Sequence, residues 1–99
     1  MDRQDKLIIL FDYYEDLLTE SQKSYFIDYY FNNLTLAEIS ENMNVSRNAV
    51  SKDLKLTVEK LNNYEEKLKL IERDKKLRKV IREIPDEKIR EKLENILDE

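Results

Sequence analysis

Five polar side chains between residues 47 and 55 have the chemistry of DNA recognition. Their spacing places them on one side of a predicted helix, away from its apolar stripe: Arg47, Asn48, Ser51, Lys52 and Lys55. Arginine can donate two hydrogen bonds to one guanine, and asparagine can make a similar pair of bonds with adenine. Together these residues predict a surface that reads the edges of DNA base pairs.

Two hydroxyl residues, Thr35 and Ser46, stand where two helices are predicted to begin. Backbone N–H groups and the helix dipole favour a phosphate at such N-termini, so both residues are predicted to contact DNA. The alternative is that the basic residues form only a solvated helix face, since charged side chains are common there. The pattern of the surrounding stretch favours DNA binding.

Residues 34–61 have the pattern of two helices joined by a tight turn. Thr35 and Glu38 have capping-box spacing, Asn44 suits the left-handed backbone of a sharp turn, and Ser46 is a good cap for a second helix. The second helix carries one apolar stripe: Val50, Leu54, Val58 and Leu61. The stretch is predicted to be a helix-turn-helix whose second helix enters the major groove.

Composition restricts the class of protein. Charged residues make up 40% of the 99 residues, with no Gly and one Pro, which predicts an all-α fold. Cysteine and histidine are absent, which excludes disulfides, thiol or imidazole catalysis and the common zinc sites. We therefore expect no enzyme activity, metal or cofactor. No apolar run approaches the roughly 20 residues of a membrane span, and no signal peptide is recognisable, so we expect a cytoplasmic protein.

Charge is unevenly distributed along the chain, whose net charge is −4. Residues 1–33 carry a net −4, residues 34–61 zero, residues 62–84 +3 and residues 85–99 −3. Phosphate neutralisation supplies most non-specific DNA affinity, so a broad basic surface is not expected. Asp53 would repel phosphate unless it points aside. A homodimer is expected, because a second subunit adds a second half-site.

Two helices are predicted before the helix-turn-helix. The first covers residues 5–18, with Asp2 or Asp5 as its cap, and has this apolar face: Leu7, Leu10, Phe11, Tyr14, Leu17 and Leu18. The second begins at Thr19, which has capping-box spacing to Gln22. It contains an aromatic cluster: Tyr25, Phe26, Tyr29, Tyr30 and Phe31.

The aromatic cluster has two interpretations. It could be a platform on which bases stack. The favoured interpretation is helix-packing core, because Phe26, Tyr29 and Tyr30 have the i, i+3, i+4 spacing of a buried face.

Residues 62–99 are predicted to form a helical arm or hairpin that packs on the domain over residues 1–61 or on a second subunit. Residues 62–84 are expected to continue as one long helix or as a pair of helices, with Asn62 and Asn63 as the place for a bend after the recognition helix. The arm is the most basic stretch, so a nucleic-acid contact is one interpretation. A solvated face with i, i+4 pairs such as Glu72–Lys76 is the favoured one.

Pro85 is predicted to break this arm, because its ring clashes with the preceding helical turn. A final helix begins near Asp86, with this apolar face: Ile89, Leu93, Ile96 and Leu97. Either a hairpin with residues 70–84 or a second subunit must cover that face.

The order of the motifs resembles region 4 of bacterial sigma factors and, more closely, the YlxM-like family of small helix-turn-helix DNA-binding proteins. The similar segments are Leu17-Leu18-Thr19 with Gln22, Tyr29-Tyr30, LAEIS at residues 36–40, VSRNAV at residues 45–50 and YEEKL at residues 64–68. The match covers about residues 7–70. Ser40 stands where the family usually has Ala, and Asn44 where Gly is frequent.

The resemblance implies a DNA-binding protein of the signal recognition particle pathway, because the family's genes commonly neighbour that of the particle's protein component. The particle's protein or RNA is therefore an expected partner. An alternative function is a protein or ribonucleoprotein adaptor of that pathway, which keeps the sigma-like fold without sequence-specific DNA binding.

Overall fold

The computed structural model describes residues 2–99. Within this range the chain forms helices and no β-strand: α1 (Arg3–Tyr14), α2 (Glu20–Phe26), α3 (Leu36–Met43), α4 (Arg47–Leu68), α5 (Leu70–Ile81) and α6 (Glu87–Leu97). A 3-10 turn, Glu15–Leu17, follows α1, and a π-helical turn, Ile27–Phe31, follows α2. The predicted all-α fold is confirmed. No helix in the described range is long and apolar enough to cross a lipid bilayer.

The helices form two units. The first ends at Lys67, and the second spans Leu68–Glu99. The predicted domain boundary, between residues 61 and 62, falls inside α4, which is one helix of 22 residues. The expected bend at residues 62–63 was therefore wrong, and the helical path is interrupted instead at Lys69, whose φ is 55°.

The last turns of α4 contact the end of α1 and the 3-10 turn that follows it. The Tyr64 hydroxyl donates to the Leu17 carbonyl oxygen at 3.2 Å, and the Tyr14 hydroxyl donates to Glu65 Oε1 at 2.5 Å. The Tyr14 and Tyr64 rings also pack at 5.9 Å between centroids. These contacts explain why the helix continues past Leu61.

The core of the first unit is built on the predicted apolar face of α1. Its buried members are Leu7, Leu10, Phe11, Tyr14 and Leu18. The Phe11 ring stacks on that of Phe26, with centroids 4.4 Å apart. Leu17 was predicted on the same face but is exposed, because α1 ends at Tyr14 and the tighter 3-10 turn alters the direction of the following side chains. Asp2 is the N-cap residue of α1, although its side chain makes no capping hydrogen bond.

The π-helical turn changes which aromatic residues face the core. Asn32 N donates to the Ile27 carbonyl oxygen, five residues back, at 3.0 Å, and this wider turn shifts the side chains relative to an α-helix. Phe26 is fully buried, as predicted, and Tyr30 is half-buried. Tyr29 was predicted in the core, but it is 38% exposed.

The helix-turn-helix has the predicted caps. Thr35 and Glu38 form a capping box, as do Thr19 and Gln22 before α2. Asn44 has φ 56° and ψ 46°, in the left-handed region, and ends α3. The two helices of the helix-turn-helix, α3 and α4, enclose a small apolar core of Ile39, Val50 and Leu54.

The second unit is a helical hairpin of α5 and α6. Asp86 Oδ1 accepts hydrogen bonds from the backbone N–H groups of Lys88 and Ile89, which confirms the predicted start of the last helix. The Arg78 guanidinium pairs with Asp98 at 2.7 Å across the hairpin. The predicted ion pair of Glu72 with Lys76 is also present, at 3.2 Å.

Candidate nucleic-acid interface

All seven residues predicted to contact DNA are exposed and belong to the first unit: Arg47, Asn48, Ser51, Lys52, Lys55, Thr35 and Ser46. Their positions follow from the turn between α3 and α4. Val45 N donates to the Ser40 carbonyl oxygen at 3.0 Å and closes the end of α3. The Ser46 hydroxyl then accepts from Ala49 N at 3.0 Å and caps α4. Arg47 is consequently the first helical residue of α4.

The N-terminal turns of α4 border a shallow depression beside α3. Its lining consists of Leu36, Ser46, Arg47, Asn48 and Ser51. Four of these five residues are polar, and Leu36 packs against the helix-turn-helix core. The structure therefore brings four predicted site residues together on one surface.

Thr35 lies on the other side of Arg47. The two residues line a second depression with side chains from α1, the π-helical turn, the segment after it and the start of α3: Gln4, Tyr29, Tyr30, Asn33, Leu34 and Leu36. The Thr35 hydroxyl accepts the N–H of Glu38 at 3.1 Å, so its own oxygen is engaged in the cap.

Ser51 and Lys55 continue the surface along α4. They share a third depression with Arg3, Tyr29, Tyr30, Leu36, Leu54, Val58 and Glu59. The second and third depressions have Tyr29, Tyr30 and Leu36 in common, and together we name them the flanking groove. One wall of the flanking groove is α4, through Arg47, Ser51 and Lys55.

The side chains of Lys52 and Asp53 do not line this groove. Each residue of an α-helix is turned by about 100° from the one before it, so Lys52 is directed further toward solvent than Ser51. Asp53 is half-buried, and the Thr57 hydroxyl donates to its carbonyl oxygen at 2.9 Å and approaches its carboxylate at 3.4 Å. The carboxylate of Asp53 therefore points aside, whereas Glu59 remains beside Lys55 in the groove.

The cations of this surface make no ion pair with the carboxylates that the structure describes. Within residues 2–99, none of Arg47, Lys52 and Lys55 makes an ion pair, whereas Lys23 and Lys76 each do. Unpaired and exposed cations can exchange their counterions for phosphate groups. Arg47, Lys52 and Lys55 therefore remain available to phosphate groups, although residues 34–61 carry no net charge.

Sequence reasoning did not identify Arg3, Gln4 and Asn33 as part of the site, and it assigned Tyr29 to the core. Arg3 and Gln4 reach the groove through the packing of α1. The π-helical turn exposes Tyr29, and Asn33 has φ 56° just after that turn. No local sequence pattern predicts the packing of α1 or the π-helical turn. The aromatic cluster is visible in the sequence, but the exposure of Tyr29 is not.

Burial raises the pKa of the Tyr30 hydroxyl above its ordinary value, and the neighbouring Tyr29 adds to the rise while Arg3 opposes it. Tyr30 is consequently neutral at physiological pH. Among residues 2–99, no cluster of three or more acidic side chains is arranged to hold a metal ion.

Comparison with known proteins agrees with this description. A family model described as "Putative helix-turn-helix protein, YlxM / p13 like" matches residues 1–99. A UPF0122 protein of Malacoplasma penetrans is 39% identical over 88 residues, which is 89% of this chain and 82% of that protein. One from Listeria welshimeri is 34% identical over an alignment of 104 positions, covering 96% and 94% of the two chains. The chain therefore belongs to the UPF0122 family of YlxM/p13-like helix-turn-helix proteins.

Proposed function

We propose that the protein is a sequence-specific DNA-binding regulator that inserts the N-terminal half of α4 into the major groove. The observation that carries this proposal is the group of exposed, unpaired polar residues at the start of α4, held by a capped helix-turn-helix. A helix-turn-helix docks with the first residues of its second helix toward the base edges.

The roles of the seven site residues follow from their positions. Asn48 and Lys52 lie on the side of α4 that faces solvent, and we assign them to base edges together with Ser51 and Lys55. Arg47 is assigned to a guanine edge. Thr35 and Ser46 are assigned to phosphates, because each caps a helix N-terminus, where backbone N–H groups and the helix dipole favour an anion.

We also propose that the protein acts as a homodimer. One helix-turn-helix offers few base contacts, and a second copy supplies a second half-site. The second unit has large apolar side chains that are exposed: Leu77, Val80, Ile89 and Ile96. Residues 62–84 carry a net charge of +3 and residues 85–99 a net −3. A two-fold arrangement that sets α5 of one copy on α6 of the other brings opposite charges together and buries these side chains.

The family resemblance adds the signal recognition particle pathway, in the cytoplasm, as the proposed setting. The second candidate function is an adaptor that binds the particle's protein or RNA. The basic residues at and after the start of α5 support it, since Lys69, Lys75 and Lys79 are exposed and make no ion pair within residues 2–99.

The proposed DNA contact is tested by selecting duplexes from a random-sequence pool and measuring their affinity for variants at fixed salt. Arg47→Ala should weaken binding to the selected duplex by about tenfold, because a bidentate contact to one base contributes about 1–3 kcal/mol of discrimination. The Arg47→Ala/Lys52→Ala double variant should recover no enriched sequence.

Lys67→Ala is the matched control, because Lys67 is an exposed cation of the same helix about 18 Å beyond Lys55. It should retain the selected sequence and affinity. If Arg47→Ala also retains full affinity, Arg47 has no role in DNA binding. Lack of enrichment with the native chain, combined with salt-dependent binding to signal recognition particle RNA, would favour the adaptor.

A further inference from the structure

The flanking groove has a second wall that does not come from the helix-turn-helix. This wall consists of Arg3 and Gln4 of α1, Tyr29 of the π-helical turn, and Asn33. The first wall is the α4 stripe of Arg47, Ser51 and Lys55, which recur every four residues. The rest of the lining is aromatic or apolar, apart from the hydroxyl of Thr35 and the carboxylate of Glu59: Tyr30, Leu34, Leu36, Leu54 and Val58.

Tyr29 is exposed but firmly supported. Its ring meets the Tyr30 ring edge to face, with centroids 5.0 Å apart. The Tyr30 ring packs 4.5 Å from that of Phe26, which in turn stacks on Phe11. This succession of rings fixes Tyr29 against the core of the first unit. The Tyr29 hydroxyl makes no hydrogen bond to any other residue in the range 2–99, so its donor is available to a ligand.

Arg3 supplies a positive charge on the same wall. It is exposed, lines the groove with Tyr29 and Lys55, and makes no ion pair with residues 2–99. It is also close enough to Tyr30 to affect the pKa of that hydroxyl. A cation and a free phenolic donor beside a recognition helix have the chemistry that binds phosphate oxygens.

From this arrangement we infer that Arg3 and Tyr29 form a second contact region, which binds the sugar–phosphate backbone of duplex DNA beside α4. The inference rests on the proposed function. A helix in the major groove has a phosphate strand along each side. Arg3 and Tyr29 line the same groove as Ser51 and Lys55 of α4, so they are placed to meet one of these strands, with Arg3 neutralising a phosphate and the Tyr29 hydroxyl donating to one. Such contacts orient the protein without reading sequence.

The test measures affinity for the selected duplex and for a random duplex between 50 and 200 mM salt. Arg3→Ala should make the slope of log K against log salt shallower by about one, since one phosphate contact is lost. Tyr29→Phe should weaken binding to both duplexes equally, by about tenfold, with the slope unchanged, because it removes only a hydrogen bond to a charged group. Lys67→Ala and Tyr25→Phe are the controls, since neither residue lines the groove.

The outcomes separate this inference from the proposed function. If Arg3→Ala leaves the salt slope unchanged while Arg47→Ala still weakens binding, the second contact region is wrong and the DNA-binding function stands. If Tyr29→Phe retains affinity but Tyr29→Ala loses it on single-stranded oligonucleotides only, the ring stacks on bases and the backbone contact is wrong. If the native chain binds no duplex, the proposed function itself fails.

Discussion

Asn44 sets the angle between the two helices that build the candidate interface. It occupies the left-handed region, which costs most residues about 1–2 kcal/mol because Cβ approaches the following carbonyl oxygen. Asparagine tolerates this conformation better than other residues with a Cβ. The chain contains no Gly, and the other positive-φ positions, within residues 2–99, are Asn33 and Lys69. The tight turn therefore depends on one residue that tolerates a positive φ.

Two substitutions of Asn44 distinguish the cost of its left-handed backbone from the loss of side-chain contacts. We expect Asn44→Ala to lower the free energy of unfolding by about 1 kcal/mol, because alanine pays the full left-handed penalty. Asn44→Gly should change it by less than about 0.5 kcal/mol, since glycine adopts positive φ readily. Urea denaturation followed by circular dichroism measures both values. Equal destabilisation by the two variants would show that the side chain of Asn44 makes a contact the turn requires.

Residues that act on nearby backbone groups could be predicted from the sequence. Thr35, Asn44 and Ser46 act on backbone groups no more than three or four residues away, so their types and spacing were sufficient to identify them. Arg3 and Tyr29 were not predictable in the same way. Their place in the flanking groove depends on the packing of α1 and on the π-helical turn, neither of which has a local pattern.

At the scale of elements, α4 continues through residues 62–63, where the sequence suggests a bend. Two adjacent asparagines suggested a bend at residues 62–63, because Asn favours turns over helix interiors. The tertiary contacts of Tyr64 and Glu65 with the end of α1 and the turn after it outweigh this weak preference. The Asn62 amide also donates to the Val58 carbonyl oxygen at 3.0 Å, which is compatible with a helix. A propensity difference of less than 1 kcal/mol is easily overridden by such packing.

Replacing Asn63 tests whether α4 is continuous. Asn63 is exposed in the middle of the helix. Asn63→Ala should therefore raise the free energy of unfolding by about 0.5 kcal/mol, because alanine has the higher helix propensity. Thermal or urea denaturation monitored by circular dichroism measures the change. A loss of stability would instead indicate that Asn63 supports a bend and that α4 ends earlier.

At the scale of the whole molecule, the second unit has too little core for its apolar side chains. The hairpin was predicted to cover the apolar face of α6, yet it only half-buries Leu93 and Leu97. Ile89 and Ile96 are 50% and 61% exposed, and Val80 of α5 is 59% exposed. Large apolar side chains at this exposure, in a unit with so small a core, favour a surface that binds another protein. The hairpin covers the apolar face of α6 only in part. A second subunit therefore remains the proposed cover for the rest of that face.

A charge placed on that surface tests the proposed homodimer. Ile96→Asp should convert a dimer into a monomer in sedimentation equilibrium, because a carboxylate would be buried without a partner at the subunit contact. Since Ile96 is largely exposed in the single chain, the variant should keep its helical circular dichroism spectrum. Loss of the dimer should abolish tight binding to a duplex with two half-sites while leaving the weaker binding to one half-site, since only one helix-turn-helix remains per particle.

Asn95→Asp is the matched control for this last experiment, because it adds the same charge at an exposed polar position of the same helix. It should leave both the dimer and two-site binding intact, which would assign the effect of Ile96→Asp to the apolar surface and not to added negative charge. A native chain that stays monomeric at all concentrations would contradict the homodimer. A dimer that survives both Ile96→Asp and Val80→Asp would instead place the subunit contact elsewhere, and the half-sites would then have to be joined through the first unit.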